Sequence, residues 1–194
     1  MQFPLDIVFK VLTLAPQMFV EDAAGRQLGY VRQKLLAFKE SVTIFSDDTQ
    51  SAPIYRIDAD RVIDFTANYH FRDAADVSLG LLRRDGLKSL WRAHYVINVG
   101  NQPTFEVREE SALVRFLDGL VGEIPIVNVL TGYVLNPTYI VGRIGGGETL
   151  RMLKRPSLLE THFSISRSGP IAPDEQVCAL LGLMMIILLE RSRG

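Results

Sequence analysis

The sequence predicts a mainly β protein in which a closed antiparallel barrel surrounds a hydrophobic C-terminal helix. Two observations lead to this prediction. Short apolar segments alternate with turn-rich segments over most of the chain, as in a series of β-hairpins. The chain then continues with thirteen consecutive apolar or glycine residues, Val177 to Leu189. In a helix their side chains point in every direction, so the helix has to be enclosed.

Turns divide the first part of the chain into hairpins. Met18 to Val20 and Leu28 to Arg32 flank one polar turn. Val42 to Phe45 and Ile54 to Ile57 flank a second. Ile63 to Phe71 alternates apolar with other residues, as in a strand that buries one face. The further predicted strands are Phe9 to Leu14, Val77 to Arg83, Leu90 to Val99, Phe105 to Val107, Tyr139 to Arg143, Thr149 to Leu153 and Glu160 to Ser166.

One stretch interrupts the strand pattern. Ser111 can cap a short helix, because apolar residues follow it at helical spacing up to Leu120. Ile126 to Leu130 can form a further helical turn. The sequence therefore predicts one or two short helices near residues 111–130.

Composition indicates a single domain over residues 1–194. The chain is 47% apolar and 22% charged, and no long linker of Pro, Ser or Gly divides it. Its one cysteine, Cys178, cannot form a disulfide framework, and the N-terminus lacks the pattern of a secretory signal. A net charge of −1 gives no bulk field that would attract nucleic acid. We expect a cytoplasmic protein, with the inner membrane face as a peripheral location.

The C-terminal helix has consistent end signals. Pro173 suits its first turn, Asp174 and Glu175 suit the positive end of the helix dipole, and Arg191 suits the negative end. The thirteen apolar residues would extend about 20 Å at ~1.5 Å per residue, which is short of the ~30 Å of a bilayer core. Burial in protein is therefore favoured over a membrane anchor or a helix exchanged between subunits. A barrel filled by its own helix has little room for a small-molecule cavity.

Several short motifs follow one another along the chain in a familiar order. They are Phe19-Val20-Glu21-Asp22-Ala23-Ala24-Gly25 with Val31 and Lys34, Val141-Gly142 with Gly146-Gly147, Lys154-Arg155-Pro156-Ser157, and the closing run Leu183 to Arg191. With these motifs the chain, from about Leu5 to Arg193, resembles the tubby C-terminal-like superfamily. The resemblance is to its bacterial branch, near the LURP-one-related and phospholipid-scramblase-like proteins. It implies a barrel of about twelve strands around a hydrophobic C-terminal helix.

The resemblance has limits that bear on function. The chain lacks a Pro-rich N-terminal arm, a cysteine cluster for palmitoylation and an acidic calcium-binding segment before the last helix. Lipid scrambling with a membrane-inserted helix is therefore the alternative to a binding or scaffold module, not the leading hypothesis. No residues match the basic phosphoinositide pocket of tubby.

Candidate catalytic and metal-binding residues are scattered. His70, His94 and His162 lack the spacing of a metal site, and Cys178 lies in the apolar run, where a thiol is inert. Gly142 to Gly147 precedes a predicted strand, whereas phosphate loops precede a helix, so a hairpin turn is favoured. The acidic pairs are Asp47-Asp48, Asp58 with Asp60, and Glu109-Glu110, and they suit solvated turns or strand ends. We expect no enzyme activity, metal or cofactor.

One set of basic residues is a candidate binding site for a lipid headgroup or a protein partner. Its members are Arg83, Arg84, Lys88, Arg92, Arg151, Lys154 and Arg155. The first four flank the turn Asp85-Gly86 near Trp91 and could contact anionic phospholipid or an acidic protein. The alternative is an ordinary solvated hairpin. Nucleic acid is not expected, because aromatic residues do not interleave with these cations.

Overall fold

The computed structural model describes residues 1–10, 16–32, 41–61, 67–84, 94–110, 138–155 and 160–191. These residues form twelve strands and one helix. The strands are β1 (Leu5–Lys10), β2 (Gln17–Glu21), β3 (Gln27–Arg32), β4 (Ser41–Phe45), β5 (Pro53–Ala59), β6 (Asn68–Asp73), β7 (Ser78–Arg84), β8 (His94–Val99), β9 (Gln102–Glu110), β10 (Thr138–Arg143), β11 (Glu148–Arg155) and β12 (Glu160–Arg167). The helix is α1 (Pro173–Arg191).

The strands close into one antiparallel barrel. Each strand pairs with its neighbours in sequence, and β1 pairs with β12 to close the ring. The mainly β class, the closed barrel and the twelve strands are therefore confirmed. The predicted helices near residues 111–130 lie outside the described residues, as do Lys88 and Arg92.

The barrel has two different ends. At the hairpin end, short described turns join β2 to β3, β4 to β5, β6 to β7, β8 to β9 and β10 to β11. At the opposite end, which we call the exit end, the odd-numbered strands finish. Helix α1 starts at the hairpin end, where Glu175 contacts Arg143 of β10. It finishes at the exit end, where Arg191 contacts Thr161 of β12.

The core forms because strand side chains alternate and α1 is apolar all round. Inward-facing residues such as Ile7, Phe71 and Val107 are fully buried, and every residue of α1 from Cys178 to Leu189 is buried too. Burying a large apolar side chain contributes about 1.5–3 kcal/mol, so the apolar C-terminal segment is the centre of the core. Among the described residues, no helix has the length and apolarity needed to cross a membrane.

Gly182 lets α1 approach the wall closely. A Cβ built on Gly182 would lie 2.6 Å from Cδ1 of Ile97 on β8. A glycine in mid-helix costs about 1 kcal/mol relative to alanine, and the close packing of Ile97 accounts for it. The nearest atoms to this position are thus side-chain atoms of the wall and not its backbone.

The joint between β3 and β4 differs from the others. Only Tyr30 and Phe45 are paired in register there, among the described residues, whereas β2 and β3 pair over Gln17 to Glu21. The neighbouring inward side chains Val31, Val42 and Ile44 are nevertheless buried. Among the described residues, this joint is thus held by packed side chains and pairs in register at a single position.

Candidate functional site

Helix α1 fills the barrel, so a binding site has to be sought on the outside. The predicted basic residues that the structure describes fall into two groups on odd-numbered strands. Arg83 and Arg84 end β7, while Lys154 and Arg155 end β11. Both strands finish at the exit end, so these four cations share one end of the barrel. Three strands separate β7 from β11, and the two groups are therefore distinct patches.

Strand alternation gives these four residues different environments. Arg83 and Arg155 are exposed on the outer face, and Arg155 Nη2 donates to Ser164 Oγ at 2.9 Å. Arg84 and Lys154 are half-buried and stand on the inward-facing side at the rim. Arg84 is paired in register with Tyr95, whose hydroxyl donates to Glu190 near the end of α1. The helix C-terminus carries partial negative charge, which neighbouring cations stabilise.

Arg151 lies in the middle of β11 and is held by two carboxylates. Its guanidinium is 3.1 Å from Glu110 and 2.8 Å from Glu148. Ser168 Oγ also donates to Glu148. The hydrogen bond from Arg151 lowers the pKa of Glu148 although burial opposes the shift. Arg151 therefore ties β9 to β11, which is a structural role.

The fold separates charges that nearly cancel in the sequence. For each end we count the described turns and the three outermost residues of each strand and of α1. Of the described side chains, the hairpin end carries ten carboxylates and four cations, which gives a net charge of −6. The described side chains of the exit end include nine cations and six carboxylates, which gives a net charge of +3. The cations of the exit end are Lys10, Arg32, Arg61, Arg83, Arg84, Arg108, Lys154, Arg155 and Arg191. The total of −1 thus conceals a charge dipole along the barrel.

Two acids of the hairpin end shape the turns. Asp22 Oδ1 accepts from the backbone N–H groups of Ala24 and Arg26, and Asp73 Oδ1 accepts in the same way from Ala75 and Val77. Burial would raise the pKa of Asp22, but the hydrogen bonds from Arg26 and from nearby backbone N–H groups leave it lowered. These two carboxylates therefore stabilise the turns in which they accept hydrogen bonds, which is a structural role.

Arg143 connects the hairpin end to the first turn of α1. Its Nη1 and Nη2 donate to Glu175 at 2.9 and 2.8 Å, and its guanidinium lies over the Phe105 ring. Glu175 also accepts from the N–H of Ala172, just before the helix. The hydrogen bonds from Arg143 lower the pKa of Glu175 although burial opposes the shift. This pair fixes where α1 enters the barrel.

The other residues considered from the sequence lie apart. His70, His94 and His162 are on β6, β8 and β12, and the described residues contain no group of three or more possible metal ligands. Burial raises the pKa of the Cys178 thiol to about 11, and the thiol donates to the Leu79 carbonyl. Gly145 to Gly147 form the turn between β10 and β11, as predicted. These residues therefore lie on separate elements of the described structure.

The charge dipole was missed by sequence reasoning. The sequence does contain this pattern, since cations end β3, β7 and β11, while Asp22, Asp47 and Asp73 lie in or next to the turns that follow even-numbered strands. The pattern can be recognised only when the direction of each strand in the barrel is known, because that direction decides at which end a residue lies. Lys10 and Leu153, also at the exit end, were missed for the same reason.

Comparison with known proteins gives a family. A family model described as LURP-one-related matches residues 27–178, well over half of the chain. The match runs from the start of β3 into the first turns of α1, and β1 and β2 precede it. The search of curated proteins gave no match, and neither did the search of solved structures.

Proposed function

Since the chain belongs to the LURP-one-related family, a part of the tubby C-terminal-like superfamily, we propose that it is a non-enzymatic binding module whose exit end binds anionic phospholipid headgroups. The observation that supports this proposal is the charge dipole, with a net charge of +3 on the described side chains of the exit end. A cation near an anionic bilayer contributes about 1 kcal/mol of attraction. The acidic hairpin end would then face away from the membrane.

The exposed cations carry the proposed contact. Arg83 and Arg155 stand on the outer face of their strands, where a phosphate can reach them without opening the barrel. Arg84 and Lys154 contribute positive potential from the rim. Arg151 contributes least, because Glu110 and Glu148 already neutralise it.

The membrane-inserted alternative requires α1 to leave the barrel. Cys178 to Leu189 would then exchange strand contacts for lipid, and the inward faces of the strands would lose their packing partner. Our proposal keeps α1 in place, so membrane association is peripheral and reversible. An acidic protein is the other partner that the basic exit end would suit.

Co-sedimentation with vesicles tests the proposal. We expect the protein to sediment with vesicles of phosphatidylcholine and phosphatidylserine at low salt, to be released at moderate salt, and not to bind phosphatidylcholine alone. Arg83→Glu and Arg155→Glu should each weaken binding at least about five-fold, since each reverses a charge near the membrane. Arg167→Glu is the matched control, because Arg167 is exposed at the hairpin end.

Two outcomes would overturn the proposal. One is a lack of sedimentation with anionic vesicles at low salt. The other is equal weakening by Arg167→Glu and Arg155→Glu, which would indicate an effect of overall charge and not of the exit end. The first outcome would leave an acidic protein as the partner to be sought.

A further inference from the structure

Exposed apolar side chains mark the two ends of the barrel differently. Apart from Met1, the large apolar side chains exposed among the described residues are Val77 at 56%, Ile144 at 47% and Leu153 at 40%. Val77 and Ile144 lie in turns of the acidic hairpin end. Leu153 lies near the end of β11, at the basic exit end. Single exposed apolar residues are common, so the surroundings of Leu153 decide whether it matters.

Leu153 points outward beside a cation. Met152, the preceding residue, is buried in the core, and Arg155 is the next outward residue along β11. Leu153 is paired in register with Ser164 of β12, the residue whose hydroxyl accepts from Arg155. The guanidinium of Arg155 is thus held close to the exposed Leu153 side chain.

The same surface continues across the next two strands. Arg155 is paired in register with His162 of β12, His162 with Val8 of β1, and Val8 with Phe19 of β2. Val8 and Phe19 are partly exposed on the outer face. Lys10 Nζ lies 4.9 Å from the centre of the Phe19 ring and 4.0 Å from Glu160. We call the surface formed by Leu153, Arg155, His162, Val8, Phe19 and Lys10 the outer wall.

Resting on the proposed function, we propose that the exit end meets an anionic bilayer with the exit-end part of the outer wall at the contact, so that Leu153 enters the interfacial region while the hairpin end faces away. Cations mixed with leucine and aromatic side chains are typical of surfaces that bind membrane interfaces, because the bilayer offers phosphate to the cations and acyl chains to the apolar groups. Val77 and Ile144 are more exposed than Leu153, but the acidic hairpin end is repelled by anionic lipid. The charge of its surroundings therefore favours Leu153 as the residue that contacts the bilayer, although it is less exposed than Val77 and Ile144.

A single-site fluorescent label tests this orientation. Leu153→Cys and Ile144→Cys provide exposed thiols for an environment-sensitive dye, while native Cys178 is buried and stays unlabelled in the folded protein. With vesicles of phosphatidylcholine and phosphatidylserine, we expect increased emission at position 153 and quenching by a spin label in the acyl chains. The label at position 144 should show neither effect.

The outcomes separate this inference from the proposed function. Sedimentation with vesicles but no response at position 153, or a response at position 144 alone, overturns the orientation and leaves headgroup binding intact. A lack of sedimentation overturns both.

An unlabelled pair of variants provides a second test. Leu153→Ser should lower the bound fraction at equal vesicle concentration by roughly five-fold, since it removes an apolar side chain from the interface. Val77→Ser, the matched control at the hairpin end, should leave binding unchanged. Equal binding by wild type and Leu153→Ser would contradict the role of Leu153.

Discussion

At the scale of single residues, Glu175 helps to position the core helix α1 through its contact with the barrel wall. It accepts two hydrogen bonds from Arg143 on β10 and one from the N–H of Ala172. It also lies in the first turn of α1, where the helix dipole favours a negative charge. The carboxylate thus stabilises the helix end and joins it to the barrel wall. The favourable position of Glu175 at the helix end was predicted from the sequence. Its partner Arg143 was not, because the contact depends on how the strands are arranged in the barrel.

Glu175→Gln should lower the free energy of unfolding by about 1–2 kcal/mol at neutral pH, because hydrogen bonds to a charged group are lost or weakened. The folded-state pKa of Glu175 lies below its ordinary value of 4.5. Its stabilisation is therefore complete above pH 4.5 and is lost as the pH falls through the folded-state pKa. Urea unfolding of both proteins across this range should show their difference shrinking in acid.

Asp174→Asn is the control for this prediction. Asp174 is exposed in the same helical turn, and removing its charge tests the helix dipole alone, which contributes about 0.3–1 kcal/mol. If Asp174→Asn destabilises as much as Glu175→Gln, the contact with Arg143 adds nothing and the interpretation fails.

At the scale of elements, α1 differs from an ordinary amphipathic helix because every face is packed. Ile186 lies in this helix with no accessible surface. A carboxylate at this position would have no partner in the apolar core, and its desolvation costs several kcal/mol. A domain is typically stable by about 5–15 kcal/mol in total.

Ile186→Asp should therefore abolish soluble folding. The measurement is the soluble fraction after expression, with circular dichroism of any soluble protein. Ile144→Asp makes the same chemical change at an exposed turn position and should remain folded. A soluble, cooperatively unfolding Ile186→Asp protein would show that α1 is not enclosed as described.

Most elements of this fold could be predicted from the sequence because their signals are local. The hairpins β2–β3 and β4–β5 followed from alternation and turn residues, and the start of α1 at Pro173 followed from its end signals. The first strand was predicted at Phe9 to Leu14, whereas β1 spans Leu5–Lys10 and residues 11–14 lie outside the described residues. The inward-facing side chains of β1 are Leu5, Ile7 and Phe9, so the alternation that defines this strand begins before the segment that was predicted.

The candidate site was less predictable because it depends on contacts between distant strands. Arg151 looks like Arg155 in sequence, but Glu110 and Glu148 neutralise Arg151 and not Arg155. Arg83 and Arg155 both look exposed, yet whether they share an end depends on strand direction. The sequence could therefore provide the candidate cations, while their grouping needed the register of the whole barrel.

At the scale of the whole molecule, the barrel is closed, but the extent of backbone pairing between neighbouring described strands differs around it. Antiparallel strands are held by successive backbone hydrogen bonds, and β8 pairs with β9 in register from His94 to Val99. Between β3 and β4, among the described residues, Tyr30 and Phe45 form the single register pair. The buried side chains Val31, Val42 and Ile44 hold this joint by packing. Local opening is therefore easiest where packing has least help from hydrogen bonds.

Native-state hydrogen exchange should show this difference. We expect the backbone amides of Gln27–Arg32 and Ser41–Phe45 that face the β3–β4 joint to exchange well before those in β8 and β9, since the described residues pair in register at a single position across this joint. The measurement is mass spectrometry of peptic fragments under conditions that keep the protein folded. The internal control is Gln17–Glu21 of β2, which pairs on both sides with β1 and β3 and should stay protected. Equal protection of β4 and β8 would contradict this prediction, because it would mean that side-chain packing makes the β3–β4 joint as resistant to opening as a fully paired joint.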